Sequence, residues 1–273
     1  MQKKANKRSR LLPYIGPATS FFEFPSDDPD RVLRKLRGED RFFAEAEIAV
    51  ARCEFARARD LYGVLSKSER YFLAAVRIGV IAAIGLGDLR FLDSVLEKVK
   101  QFRASVKDNP TGQKLADIVE SWLRQWLWQP TGYPEWIARF DFTELPNVWQ
   151  HPAAYLGVMA RLNAGQFESA YAAAALQMSF DEKVDESARS RLTAASAYLR
   201  MARAIACRET GREDEMRKWL VSVIHELAPH GFFLPFMIFL HCRHKSPVEE
   251  ILAEVAPGEV VRYRQLSQAY FTN

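Results

Sequence analysis

Three observations on the 273-residue sequence predict an all-α fold. The thirteen prolines fall into four zones, 13–29, 110–152, 229–235 and 247–257, leaving two proline-free blocks at 30–109 and 153–228. Proline removes a backbone donor and clashes with the preceding turn, so such blocks suit helices and the proline zones suit connections. Inside the blocks, apolar residues recur at steps of three or four, the helical period. Runs alternating with period two, the mark of a half-buried strand, are scarce.

The elements follow in chain order. Helical sequence from Phe42 is interrupted at Cys53-Glu54 and resumes from Phe55 to Leu65. The stretch Tyr71–Ile84 is apolar nearly all round, as expected of a helix sandwiched between neighbours, with Arg77 as its one charge. After Gly87, residues Leu89, Leu92, Leu96, Val99 and Phe102 form one stripe, while Asp93, Glu97, Lys98 and Lys100 take the opposite face. Gly132-Tyr133-Pro134 marks a weaker break. Gly165-Gln166-Phe167 and Gly211-Arg212-Glu213 mark two more. After the last of these, Met216, Leu220, Val223 and Leu227 line one face, and Glu213, Asp214 and Glu215 give an acidic first turn that suits the helix dipole.

Each break follows a helical stretch and opens another, so each reads as the tight turn of a helical hairpin. Glycine belongs at such a turn because ending one helix and starting the next within about three residues needs a left-handed backbone position. The intervals between the turn points are 34, 45, 33 and 46 residues, the range of helix-pair repeats. Helices this short are marginal alone and gain stability by stacking. The predicted architecture is a right-handed α-α superhelix of about five hairpins, forming a single domain over 13–273 behind a basic, flexible tail at 1–12.

Composition removes several function classes. Hydrophobic content of 48% and charged content of 26% exclude wholesale disorder. Net charge is +4, yet Lys3, Lys4, Lys7, Arg8 and Arg10 supply +5, so the rest sums to −1. A nucleic-acid-binding body would carry its own positive stripe, so no direct nucleic-acid binding is expected of this chain. The tail could touch nucleic acid or an anionic surface, although a solvated terminus or linker remnant is the plainer reading. Three scattered cysteines, Cys53, Cys207 and Cys242, make no disulfide framework and point to a reducing, cytoplasmic setting. No apolar run reaches membrane-span length and no signal peptide develops, so no membrane association is expected.

The turn Gly165-Gln166-Phe167-Glu168-Ser169-Ala170 resembles those of tetratricopeptide hairpins. The stretch from Ala204 through Gly211 and Trp219 to Leu227-Ala228-Pro229-His230-Gly231-Phe232-Phe233-Leu234-Pro235-Phe236 resembles the last hairpin of the helical-repeat domain in MalT-like, LuxR-type transcriptional regulators. There a helix pair ends in a Pro-x-Gly-aromatic turn and a Pro-Phe step. Phe42 to Leu65 is similar to that family's early hairpins. The resemblance implies an effector-sensing or interaction module within a regulator. Two departures stand out: there is no phosphate-binding G-x-x-x-x-G-K-[ST] loop, and the chain stops at Asn273, where a helix-turn-helix domain would be expected.

Candidate chemistry is sparse. His241, Cys242 and His244, with His225 and His230 nearby, form the densest polar group, and imidazole plus thiolate suits zinc. No second ligand pair exists, and Arg243 and Lys245 add positive charge, so no metal site is assigned. Cys53 stands where glycine is normal and Cys207 lies in an alanine-rich stripe, so both read as small buried residues. No nucleophile, metalloprotease or paired-carboxylate signature appears, so neither an enzyme nor a cofactor is expected.

Aromatic residues offer more. Trp122, Trp126, Trp128, Trp136 and Trp149 crowd one window, and the first two share a helical face. Counting back from each turn along tetratricopeptide-type hairpins puts Arg77, Trp122, Trp126, Tyr155, Met159 and Asn163 on a concave wall. These six are the candidate ligand-binding residues, suited to a small-molecule effector or a peptide segment of a protein partner. An aromatic core between irregular repeats is the competing reading, favoured for Trp128, Trp136 and Trp149 and left open for Trp122 and Trp126. The expected function is a non-catalytic sensor module of a MalT-like regulator lacking its DNA-binding domain, or alternatively a free-standing protein–protein interaction scaffold.

Overall fold

The computed structural model describes residues 29–127, 129, 131–184, 194–241 and 246–272. The tail expected at 1–12, Trp128, and Cys242 and His244 lie outside the described residues. Among the described residues all regular structure is helical, and no strand forms.

After a short α1 (Pro29–Leu33), four tight hairpins follow the predicted turns. They are α2 (Gly38–Ala51) with α3 (Phe55–Leu65), α4 (Phe72–Leu86) with α5 (Leu89–Ser105), α8 (Asn147–Asn163) with α9 (Phe167–Val184), and α10 (Ala194–Glu209) with α11 (Glu213–Leu227). The turn residues are left-handed as the sequence requires: φ is 59° at Cys53, 63° at Gly87, 71° at Gly165 and 73° at Gly211. In each turn the next N–H reaches back to a carbonyl of the finished helix: Glu54 to Ala49 (2.8 Å), Asp88 to Ala83 (3.0 Å), Gln166 to Arg161 (2.9 Å) and Arg212 to Cys207 (2.7 Å). This closure satisfies carbonyls that a bare helix end would leave orphaned.

The third unit departs from expectation. Gly132 is left-handed (φ 80°), but α6 (Pro110–Trp126) has already ended, and the next full helix begins only at Asn147. Between them the second helix is cut to the four residues of α7 (Glu135–Ala138), bracketed by Pro134 and by Phe140 at a left-handed φ of 59°. The proline zone 110–152 is therefore no simple connection. Pro110 sits at the first position of α6, where the missing N–H has no partner to lose. Pro152 lies inside α8, past its first turn, where the missing N–H removes one i→i−4 hydrogen bond.

Helix α4 is buried on all sides as its composition predicts, in contact with α2, α3, α5 and α6. Its Gly85 faces the Phe55 ring so closely that a Cβ there would fall 2.2 Å from the ring, so α3 and α4 approach at a distance only glycine permits.

The first helices α2, α4, α6, α8 and α10 pack each on the next. The chain then returns to its first hairpin, a contact with no periodic signal in the sequence. After 3-10 turns at Ala228–His230 and Leu234–His241, the latter stretch packs on both α10 and α2, joining the two ends of the row. The Phe233 N–H donates to the Ala51 carbonyl (2.9 Å), and Arg52 Nε donates to the His230 carbonyl (3.0 Å). Helices α12 (Val248–Val255) and α13 (Val260–Thr272) complete the chain, with the Tyr263 ring 6.3 Å from that of Phe233 and 6.4 Å from that of Phe236. Phe233, Phe236 and Met237 are fully buried, in one core continuous with the inner side of the row.

Candidate functional site: a buried polar and aromatic chain across the first helices

Helix α4 is too apolar to leave Arg77 in water, so its guanidinium must find partners inside. It pairs with the Glu47 carboxylate of α2, and the two side chains are only 12% and 1% exposed. Each charge offsets the desolvation of the other, and breaking such a pair leaves an uncompensated buried ion. Burial pulls the Arg77 pKa down to about 10, opposed by Tyr198. On its other side the guanidinium lies 5.8 Å from the Trp122 ring of α6, within cation–π range. Trp122 in turn stands 5.1 Å from Tyr155 of α8 and 5.8 Å from Tyr198 of α10, and the two tyrosine rings are 5.5 Å apart. Each of the five first helices thus supplies one member: Glu47, Arg77, Trp122, Tyr155 and Tyr198.

Three of the six residues expected on the wall, Arg77, Trp122 and Tyr155, fall in this chain of side chains. Arg77, Trp122 and Tyr155 each stand ten positions ahead of a turn glycine. Glu47 and Tyr198 escaped a fixed count because each is offset by one helical turn, six ahead of Cys53 and thirteen ahead of Gly211. Allowing offsets of three or four along one helical face would have found both.

The expected open wall is not what these residues form. Trp122, Trp126, Tyr155 and Met159 are 7%, 2%, 1% and 3% exposed, members of the common core, and Arg77 is sealed against Glu47. The physical reason is packing between neighbouring first helices, because Trp122 meets Tyr155 of α8 and Tyr198 of α10 while Arg77 meets Glu47 of α2. Asn163 goes elsewhere. It is exposed at the end of α8, and its amide donates to Gln125 (3.4 Å) and to the Tyr133 hydroxyl (3.3 Å). Of the remaining tryptophans, Trp149 is buried, while Trp136 is half-buried and donates through Nε1 to Asp117 Oδ2 (2.8 Å).

Open clefts lie away from this chain of side chains. One of about 470 Å³ sits at the seam, lined by Arg52, Glu54, His230, Gly231, Glu259 and Arg262. A second, of about 370 Å³, lies between α6 and the linker that replaces the third hairpin's second helix. Burial pushes the thiols up, Cys53 to about 12 and Cys207 to about 11 with help from Glu215, which keeps both in the unreactive protonated form near neutrality. Among the described residues no group of three or more His, Cys, Asp or Glu side chains is placed to hold a metal. The His241, Cys242 and His244 cluster falls outside the residues whose side chains are described. No described helix is long and apolar enough to cross a membrane.

No protein-family model matches the chain, no curated protein matches its sequence, and no solved structure matches its fold.

Proposed function

We propose that the chain is a non-catalytic binding module, a right-handed superhelix of about five tetratricopeptide-like units. Its role would be that of the sensor part of a MalT-like, LuxR-type transcriptional regulator, taking up a small effector or a partner segment and passing the event to an output domain. The observation that carries this reading is the ordered stacking of α2, α4, α6, α8 and α10, linked by one polar and aromatic chain. Such a contiguous chain would carry a change at one unit to its neighbours, which is what a module transmitting occupancy needs.

The alternative, a free-standing scaffold for protein partners, is favoured by the burial of Trp122 and Tyr155, which leaves the outer surfaces as the accessible ones. Native mass spectrometry of the purified chain decides first whether a small molecule co-purifies. Hydrogen exchange with and without that molecule then reports whether protection spreads beyond the units it touches. Spread over several first helices supports the sensor. A tight protein partner with no small-molecule response supports the scaffold, and turnover of a bound molecule overturns both. Duplex DNA should not be retained by residues 11–273 at physiological salt, given the net charge of −1 on that part.

A further inference from the structure

The third unit lacks a full second helix, and the cleft of about 370 Å³ lies on α6 beside the linker that stands in its place. That volume is too small for a packed helix but lies within the range of small-molecule sites. Its floor is a polar stripe on one face of α6, made by Asp117, Glu120, Ser121 and Arg124, with Arg103 reaching over from α5.

The charges in the cleft are separated into two poles. Arg103 is shared by two carboxylates, donating to Asp117 Oδ1 (2.6 Å) and to Glu120, and also to Gln113 Oε1 (3.0 Å). One guanidinium between two carboxylates leaves that side with a net charge of −1. Arg124 lies one helical turn away, about 6 Å along the axis. Its Nη1 donates to the Thr131 carbonyl (3.1 Å), and the ion pairs among the described residues give it no carboxylate. That side carries +1.

The poles are held in place. Trp136 Nε1 fixes the second oxygen of Asp117, and the Thr131 carbonyl holds Arg124 Nη1. Ser121, a residue 1% exposed, is among those lining the cleft, and its hydroxyl is buried without a hydrogen-bond partner among the described residues. An uncommitted cation, an unused hydroxyl donor and a net negative carboxylate pair about one turn apart match a ligand with an anionic and a cationic group on adjacent atoms.

We propose that this cleft binds a free α-amino acid as its zwitterion, with the carboxylate on Arg124 and Ser121 and the ammonium against Glu120. The proposal rests on the effector-binding reading above and names the chemical class of the effector. It is tested on the full chain by calorimetric titration with each of the twenty L-α-amino acids, and with the amine and the 2-oxo acid corresponding to any that binds. The expected result is saturable binding of at least one amino acid, with both analogues weaker by about tenfold or more, since each loses one charge-assisted contact. R124Q should weaken binding by about tenfold or more and S121A by a few-fold, while both variants keep the wild-type circular dichroism spectrum.

Should R124Q unfold, the S121A comparison and the two analogues carry the test alone. Binding of the amine or the oxo acid as tightly as the amino acid overturns the proposal, as does binding indifferent to both substitutions or no binding at all. If no amino acid binds but a ligand of another class co-purifies, this assignment falls and the effector-binding reading stands. If nothing binds, both fall.

Discussion

Replacing Trp122 separates an interior aromatic from a ligand platform. The side chain is 7% exposed, so nearly its whole surface is buried, about 150–250 Å² for an aromatic residue. At about 25 cal/mol per Å² that burial corresponds to about 4–6 kcal/mol, in line with the 3–5 kcal/mol typical of Trp→Ala in a core. Ring contacts to Tyr155 and Tyr198 and the Arg77 contact add to it. Trp122→Ala is therefore expected to cost about 4–5 kcal/mol, a large part of the 5–15 kcal/mol that holds a domain together.

Trp122→Phe should behave differently. It gives up part of the ring area, about 1–2 kcal/mol, but also removes an indole N–H that is buried without a partner among the described residues, worth about 1–3 kcal/mol. The two effects offset to within about 1 kcal/mol. Urea unfolding followed by circular dichroism measures both variants, with the slope checked for constancy. Wild-type stability in Trp122→Ala would return this residue to an exposed wall. A Trp122→Phe cost as large as that of alanine would show that the indole N–H is hydrogen-bonded in the folded protein.

Other outcomes follow from the same geometry. Glu47→Gln leaves Arg77 charged and unmatched inside the protein, so equilibrium unfolding should show a loss of about 3–5 kcal/mol, against little change for Glu97→Gln, which carries only an exposed pair. Gly165→Ala forces an alanine to φ 71° and should cost about 1–2 kcal/mol, whereas Gly63→Ala, exposed within α3 with open space at its Cβ, should add about 0.5–1 kcal/mol. Burial raises the Cys53 and Cys207 pKa values above those of unfolded thiols, so the folded state holds these protons more tightly. Their contribution to stability is complete below about pH 9 and is lost as pH rises toward about 11 and 12. Peptide-resolved alkylation at pH 8 should leave both residues unmodified until urea unfolds the chain, and fast native labelling of Cys207 would contradict the packing around it. Phe233→Ala should loosen the seam, read as faster hydrogen exchange at both α2 and α10; a change confined to residues near 233 would mean the two ends of the row are not coupled.

The sequence by itself determined the helices and where they turn. Apolar periods, proline placement and the left-handed demand at Cys53, Gly87, Gly165 and Gly211 are local properties, written within a few residues and satisfied wherever the helix is placed. That Arg77, Trp122 and Tyr155 share one level was also legible, because equal distances from successive turns give equal heights in a row of stacked helices. What only tertiary structure decided is which side of those residues meets water. That depended on Glu47, Trp122, Tyr155 and Tyr198 converging from α2, α6, α8 and α10, contacts with no local signature. It also depended on the shortened α7, whose four residues leave α6 uncovered on one side. Burial is a property of two surfaces brought together, and a periodic pattern on one helix specifies only one of them.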